Sequence, residues 1–294
     1  MTNSVIKQAE KDYNPSLVRI NEEKILSLSF NEEDKSILLH NEFDGLEDKD
    51  IKNCVRFLIA LNSINYQFWS LDDNQFVRYQ NKGQTGALGY FAGFLELYHY
   101  LEMYNFNIDL IDASSVSFYL GNISDIDNRI ELLKESLNTQ NFELVFSIIG
   151  KHIKTESFNV SLAEKIANTL PLSYKEPYLK KIQLALYEIS QSYQIRGKNI
   201  PCDITVAADY QIPKVLEGMG ILEYDATVTQ NIASFKIIEK DSATEKAIRA
   251  ATILACEKIS QIHQISIEAL DRLLWLARND FNNKNFHLTL TTYY

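Results

Sequence analysis

"TEKAIRAATILACEKISQIHQ", residues 244–264, sets the fold class. Ile248, Thr252, Ala255, Ile259 and Ile262 recur at spacings of three and four, the period of one helix face. The same period runs through the flanking sequence. "SIEALDRLLWLARND" (266–280) places Leu270, Leu274 and Ala277 on a face, and "PYLKKIQLALYEISQSYQI" (177–195) reads as a longer helix with Pro177 suited to its first turn. "SLAEKIANTL" (161–170) is a helix stopped by Pro171. "SDIDNRIELLKESLNTQNFELVFSIIG" (124–150) reads as two short helices, the first capped by Ser124 or Asp125. "TGALGYFAGFLELYHYLEMY" (85–104) sets Leu88, Phe91, Leu95 and Tyr98 on one face.

Strand signals are few. "KNCVRFLIALNSINYQFW" (52–69) is a helix running into an aromatic-rich turn, and "DDNQFVRYQNKG" (72–83) alternates as a short hairpin. "SLSFNEEDKSILLH" (27–40) suits a small strand-and-turn element, and the tail "NFHLTLTTYY" (285–294) reads as extended. The expected architecture is a mainly α single domain over residues 1–294. Minor β lies near 25–40 and 75–80, a polar extension (1–50) packs on the domain, and the C-terminal tail is extended.

Composition narrows the function. With only 10 Gly and 5 Pro in 294 residues, a turn-rich barrel and a Gly-rich nucleotide-binding sheet are disfavoured. A net charge of −10 and no basic run longer than Lys180-Lys181 argue against binding intact polynucleotide, whose affinity rests on neutralised phosphates. A small phosphorylated ligand needs only one or two cations. Cys54, Cys202 and Cys256 stand apart in no metal or disulfide pattern, which predicts reduced thiols in a cytoplasmic protein. No leader-like apolar segment opens the sequence and no apolar run reaches membrane-spanning length.

The five histidines (40, 99, 152, 263 and 287) form no ligand-spaced pair, so no metal site is expected. Nucleophile elbow, P-loop and dinucleotide fingerprint are absent. Carboxylates and lysines remain. A carboxylate beside aromatic walls suits cleavage at an anomeric carbon, whose transition state is oxocarbenium-like. Asp209, between an apolar run and a helix start, is either that carboxylate or a cap. Tyr66, Phe68, Trp69, Tyr210, Trp275, Tyr293 and Tyr294 are either stacking surfaces or core.

Seven segments in order carry a resemblance: "NYQFW" (65–69), "LPLSYKE" (170–176), "YLKKIQLA" (178–185), "ADYQIPKVLEGMGIL" (208–222), "AIRAATILACE" (247–257), "LDRLLW" (270–275) and "FHLTLTTYY" (286–294). From about residue 50 onward the chain resembles the queuosine salvage proteins, the queuosine 5′-phosphate N-glycosylase/hydrolase family. The resemblance implies a largely helical fold like that of DNA base-excision glycosylases and no cofactor. It also implies hydrolysis of queuosine 5′-monophosphate to queuine and ribose 5-phosphate, queuine then passing to a tRNA-guanine transglycosylase. The alternatives are a hydrolase for another 7-deazapurine nucleotide or nucleoside, and an inactive binding protein on the same fold.

Carried over residue by residue, Asp209 matches the motif's carboxylate, which would activate water and stabilise charge on the ribose. Lys180 would orient Asp209, contact ribose or phosphate, or protonate the departing base. Phe68, Trp69 and Tyr210 would wall the pocket alongside Trp275. Asp271 would hydrogen-bond the ligand or cap a helix. His287 and Tyr293 would close the pocket and bind phosphate, and Arg249 is either a phosphate contact or a buried ion-pair partner. Gln211, Ala247, Asn62 and Leu290 depart from the family's usual Arg, Glu, acid and Arg. The first two read as the joint loss of one salt bridge.

Overall fold

The computed structural model describes residues 3–35, 50–73, 75–154 and 157–294. Among them the N-terminal part holds helix α1 (Ser4–Asp12), strand β1 (Val18–Ile20) and helices α2 (Glu22–Leu26), α3 (Glu32–Lys35) and α4 (Ile51–Ser63). Two small hairpins follow, β2 (Trp69–Asp72) with β3 (Gln75–Arg78) and β4 (Gln80–Asn81) with β5 (Gln84–Thr85). Helices α5 (Ala87–Met103), α6 (Ala113–Leu120), α7 (Ile126–Leu137) and α8 (Thr139–His152) lead to β6 (Phe158–Asn159), α9 (Val160–Thr169) and α10 (Pro171–Tyr174). The chain continues through α11 (Lys180–Ile195), β7 (Cys202–Asp203), α12 (Gln211–Gly218), β8 (Leu222–Tyr224), α13 (Ala226–Ala233), α14 (Ala243–His263) and α15 (Ile267–Ala277). The chain is mainly helical, as its periodicity predicts.

Three helices make the centre. α4 buries every residue from Phe57 to Ser63 and packs on α11. α14, capped by Ser242 accepting from the Glu245 N–H, is buried on several sides, including Ala247, Ile248, Ala251, Ile253 and Ile259. Its alanines let neighbours approach closely, and α1 packs along it. The expected stripe holds as far as Ile259, whereas Ile262 is 48% exposed near the helix end. One apolar cluster runs from Val5 to Leu274, and Val5, Ala9, Val18 and Ile25 tie the described part of the N-terminal extension into it. β1 pairs antiparallel with β8, Val18 opposite Tyr224.

Several local expectations are corrected. No strand occurs among residues 22–35. Asn31 and Asp34 exchange side-chain-to-backbone bonds at 2.8 and 2.9 Å, which starts α3, and residues 36–40 lie outside the described ones. The hairpin at 75–80 is present, but its first strand begins at Trp69, inside the expected turn. Asp125 precedes α7 in a left-handed conformation with no capping bond; its carboxylate instead accepts from Tyr66 Oη and Asn128 Nδ2. Pro171 opens α10 as well as ending α9. Pro177 lies outside α11, which begins at Lys180 after a left-handed Leu179.

α5 is rotated relative to the expected face. Tyr90, Phe94, Leu97 and Leu101 are buried with Tyr98, while Leu88, Phe91 and Leu95 are half-buried. Gly89 and Gly93 lie on the buried side because the β4 backbone and α6 press there: a Cβ on Gly93 would sit 2.5 Å from Tyr119 O. The residues left half-buried are not idle, since Leu88 and Phe91 line a cavity.

Candidate active site

The cavity opens between the hairpin segment with α5 on one side and α11, α12 and α15 on the other. Of the ten residues singled out by sequence, Asp209, Lys180, Phe68, Tyr210, Asp271 and Trp275 line it. Trp69, Arg249, His287 and Tyr293 are not in its wall.

Asp209 both lines the cavity and holds the start of α12. Its Oδ1 accepts the N–H groups of Gln211 at 2.6 Å and Ile212 at 3.1 Å, so it caps α12. Both bonds fall on one oxygen of a carboxylate that lines the cavity, which fixes the side chain without burying it in the helix end. Asp271, at the start of α15's second turn, accepts the Ala207 N–H at 2.7 Å. Burial, aided by the charge of Asp209, pushes its carboxyl up to about 6 against the pull of Lys180.

Lys180 is 3% exposed, unlike a solvated helix-start lysine. Burial lowers its pKa, and Asp209 and Asp271 work in the other direction. Its Nζ donates to Asn65 O at 3.3 Å. That bond belongs to a larger arrangement. Successive carbonyls from Ser63 to Gln67 each accept from a buried cation: Ser63 from Lys181 at 2.7 Å, Ile64, Tyr66 and Gln67 from Arg129, and Asn65 from Lys180. Beyond Ser63, the end of α4, residues 64–68 have no helix or strand, yet Asn65, Tyr66 and Phe68 form part of the wall. Buried carbonyls need such donors.

Arg249 is the buried ion-pair partner. Its guanidinium meets Glu176 at 3.0 and 3.3 Å and Glu245 at 3.7 Å, between the rings of Tyr178 and Tyr294. Burial opposes its charge, but the two carboxylates outweigh burial and raise its pKa. Glu176 also accepts the backbone N–H groups of Tyr178 and Lys180. Arg249 therefore anchors the cap of the helix that carries Lys180.

The aromatic residues divide similarly. Phe68 stacks on Tyr90 at 4.9 Å and its N–H meets Tyr210 Oη, while Tyr210 packs on Phe286 at 4.5 Å. Trp69 is buried with Tyr210, Phe286, Leu288 and Tyr294 behind the wall. His287 bonds Tyr294 Oη at 3.2 Å, and burial together with Arg249 depresses its pKa to about 3, so it is neutral. Tyr293 faces Lys240, whose Nζ lies 3.8 Å from the ring centroid. In the tail, Phe286 and Tyr294 are the residues that reach the cavity.

Sequence reading missed Glu188, Tyr187, Arg78, Lys214, Arg272 and Arg278 in the wall. Lys180, Leu184 and Glu188 share one face of α11 at spacings of four, with Tyr187 three residues beyond Leu184, a signal present in the sequence. The others come from separate elements and no spacing links them. Five cationic side chains (Arg78, Lys180, Lys214, Arg272 and Arg278) and three carboxylates (Glu188, Asp209 and Asp271) line the cavity, opposite in balance to the chain's −10. Such a wall suits an anionic ligand with a planar apolar part.

The family model described as queuosine salvage protein matches residues 46–294. The chain belongs to the queuosine salvage protein family. A protein of Sphaerobacter thermophilus named queuosine 5′-phosphate N-glycosylase/hydrolase is 25% identical over 268 residues, covering 81% of this chain and 80% of the relative. A Dictyostelium discoideum protein of the same name is 29% identical over 128 residues, 40% of each chain. Among the described residues of this queuosine salvage protein, no His, Cys, Asp or Glu group is arranged to hold a metal ion, and no helix is long and apolar enough to cross a membrane.

The departures now have places. Asn62 is fully buried, donates to Glu188 at 2.5 Å and accepts from Asn65 Nδ2 at 3.1 Å. An acid at that position would oppose Glu188. Gln211 lines the cavity, with its buried Oε1 lacking a partner among the described residues. Ala247 is buried in α14, away from the cavity wall, and Leu290 is 57% exposed.

Proposed function

We propose that this chain hydrolyses the N-glycosidic bond of queuosine 5′-monophosphate, releasing queuine and ribose 5-phosphate. The observation that carries the reading is Asp209: a carboxylate on the wall of a net cationic, aromatic cavity, held by two N–H bonds on one oxygen, beside Lys180 and Asp271. In this reading Asp209 Oδ2 takes a proton from water as the water oxygen bonds to C1′. The C1′–N bond breaks and its electron pair leaves with the base. The fixed negative charge of Asp209 stabilises the oxocarbenium-like ribose between these events. Asp271, whose pKa is raised to about 6, supplies the proton that the departing base collects. Lys180 keeps the two carboxylates compatible at close range. Phe68, Tyr210 and Trp275 bound the planar base, as in other pockets that hold an unstacked base.

The whole chain acts as one unit in this proposal, supported by the apolar cluster that runs from α1 to α15. The protein works in the cytoplasm on a mononucleotide, binds no polynucleotide and hands queuine to a tRNA-guanine transglycosylase. The test is chromatographic release of free base from queuosine 5′-monophosphate. Wild-type release that falls at least about 100-fold in Asp209→Asn supports the reading. Turnover restricted to another 7-deazapurine nucleotide would reassign the substrate, and tight base binding without turnover would refute catalysis.

A further inference from the structure

Tyr187 is a polar residue of the cavity wall for which the hydrolytic steps have no use. It stands in the middle of α11, three residues beyond Leu184 and next to Glu188, and is 4% exposed. Its Oη is buried and forms no hydrogen bond with any described residue. Gln191, one turn further along α11, acts on the oxygen without closing a bond. The carboxylates close by are held elsewhere: Asp271 Oδ1 accepts the Ala207 N–H, and Glu188 Oε2 accepts Asn62 Nδ2. Burial first, and then the charges of Asp271 and Glu268, keep the phenol well above its ordinary titration range, so the hydroxyl retains its proton and remains a donor.

A buried hydroxyl without a partner costs the fold free energy that a phenylalanine ring in the same place would not. Packing of the ring therefore does not account for a tyrosine here. Asp271, Glu268 and Arg272 all act on the hydroxyl and all belong to α15, so it lies on the side of the cavity that carries Asp271. We propose that Tyr187 is a specificity-determining residue, its hydroxyl donating to an acceptor on the deazapurine base, a ring nitrogen or the carbonyl oxygen, and so fixing the base beside Asp271. The proposal rests on the hydrolase reading above. A pocket with apolar walls takes its ligand's orientation from a few such polar groups, and a base lacking the acceptor would leave the hydroxyl orphaned again.

The experiment is calorimetric titration of queuine and, separately, of ribose 5-phosphate into wild type and Tyr187→Phe, with urea unfolding of both unliganded proteins. Loss of one neutral hydrogen bond to the base weakens queuine binding about 3- to 20-fold and leaves ribose 5-phosphate binding unchanged. The urea midpoint of Tyr187→Phe stays level or rises, because the free protein loses no bond; a lower midpoint means that the hydroxyl has a partner in the fold and overturns the proposal. Unchanged queuine affinity in Tyr187→Phe also overturns it. So does equal weakening of both ligands, which would mark a general distortion, or a wild type that binds no queuine. Base release from queuosine 5′-monophosphate, followed in the same two proteins, keeps the parent reading separate. A wild type that binds queuine but cleaves nothing refutes hydrolysis, while the titration still decides the base contact.

Discussion

Asp271→Asn should make the protein more stable while disabling it. In the fold the Asp271 carboxyl rises from 3.8 to about 6, because burial disfavours its charge and Asp209 adds to the effect. Each tenfold change in a proton equilibrium is worth about 1.4 kcal/mol, so ionised Asp271 costs the native state about 3 kcal/mol above pH 7. Below pH 4 the group is protonated in folded and unfolded chains alike and the cost disappears. Because the folded pKa is the higher one, wild type loses stability as pH rises between about 4 and 6. Asparagine keeps an oxygen for the Ala207 N–H and carries no charge at any pH. Urea unfolding should therefore show a gain of about 3 kcal/mol at pH 8 that shrinks to about 1 kcal/mol at pH 4.5. Base release at pH 6 should fall with it. A gain independent of pH, or no gain at pH 8, would remove the argument that burial governs this carboxyl.

Other consequences are equally concrete. Arg249→Met strands Glu176 and Glu245 in the interior and should cost about 3–5 kcal/mol in urea unfolding; adding Glu176→Gln should recover part of that loss, and strict additivity would contradict the pairing. His287 should show no imidazole titration by nitrogen NMR between pH 8 and pH 4, and a midpoint near 6.5 would place it in water. Since its folded pKa lies below the unfolded one, His287 draws stability down as pH falls below about 6.5. Gly93→Ala should cost about 1–3 kcal/mol, because its Cβ would meet Asn81 Nδ2 at 2.3 Å and Tyr119 O at 2.5 Å; a neutral result would mean α5 and α6 separate easily.

Helices were legible wherever an apolar period persisted, as in α14, because burial of one face imposes that period. The burial of α14 on its other sides was not, since alanines there are consistent with either exposure or close packing. Strand pairing such as β1 with β8 joins residues about two hundred apart and leaves no local trace. The cavity followed the same division. Asp209 and Lys180 stood out through motif order, and Glu188 shares a readable helix face with Lys180. Arg78, Lys214 and Arg278 are ordinary surface-type residues in sequence, and only tertiary structure brings their charges to one place. Arg249 had two open readings because a buried ion pair and a phosphate contact use the same guanidinium chemistry.

The carbonyl row from Ser63 to Gln67 bears on how this enzyme can change over time. A stretch of wall with no helix or strand of its own takes its shape from Arg129, Lys180 and Lys181, which sit on two other helices. Replacing Arg129 would re-thread the wall without touching any ligand, because its bonds to Ile64, Tyr66 and Gln67 hold the carbonyls on either side of Asn65. Substrate preference in this lineage can thus drift through substitutions that an inventory of pocket residues would pass over.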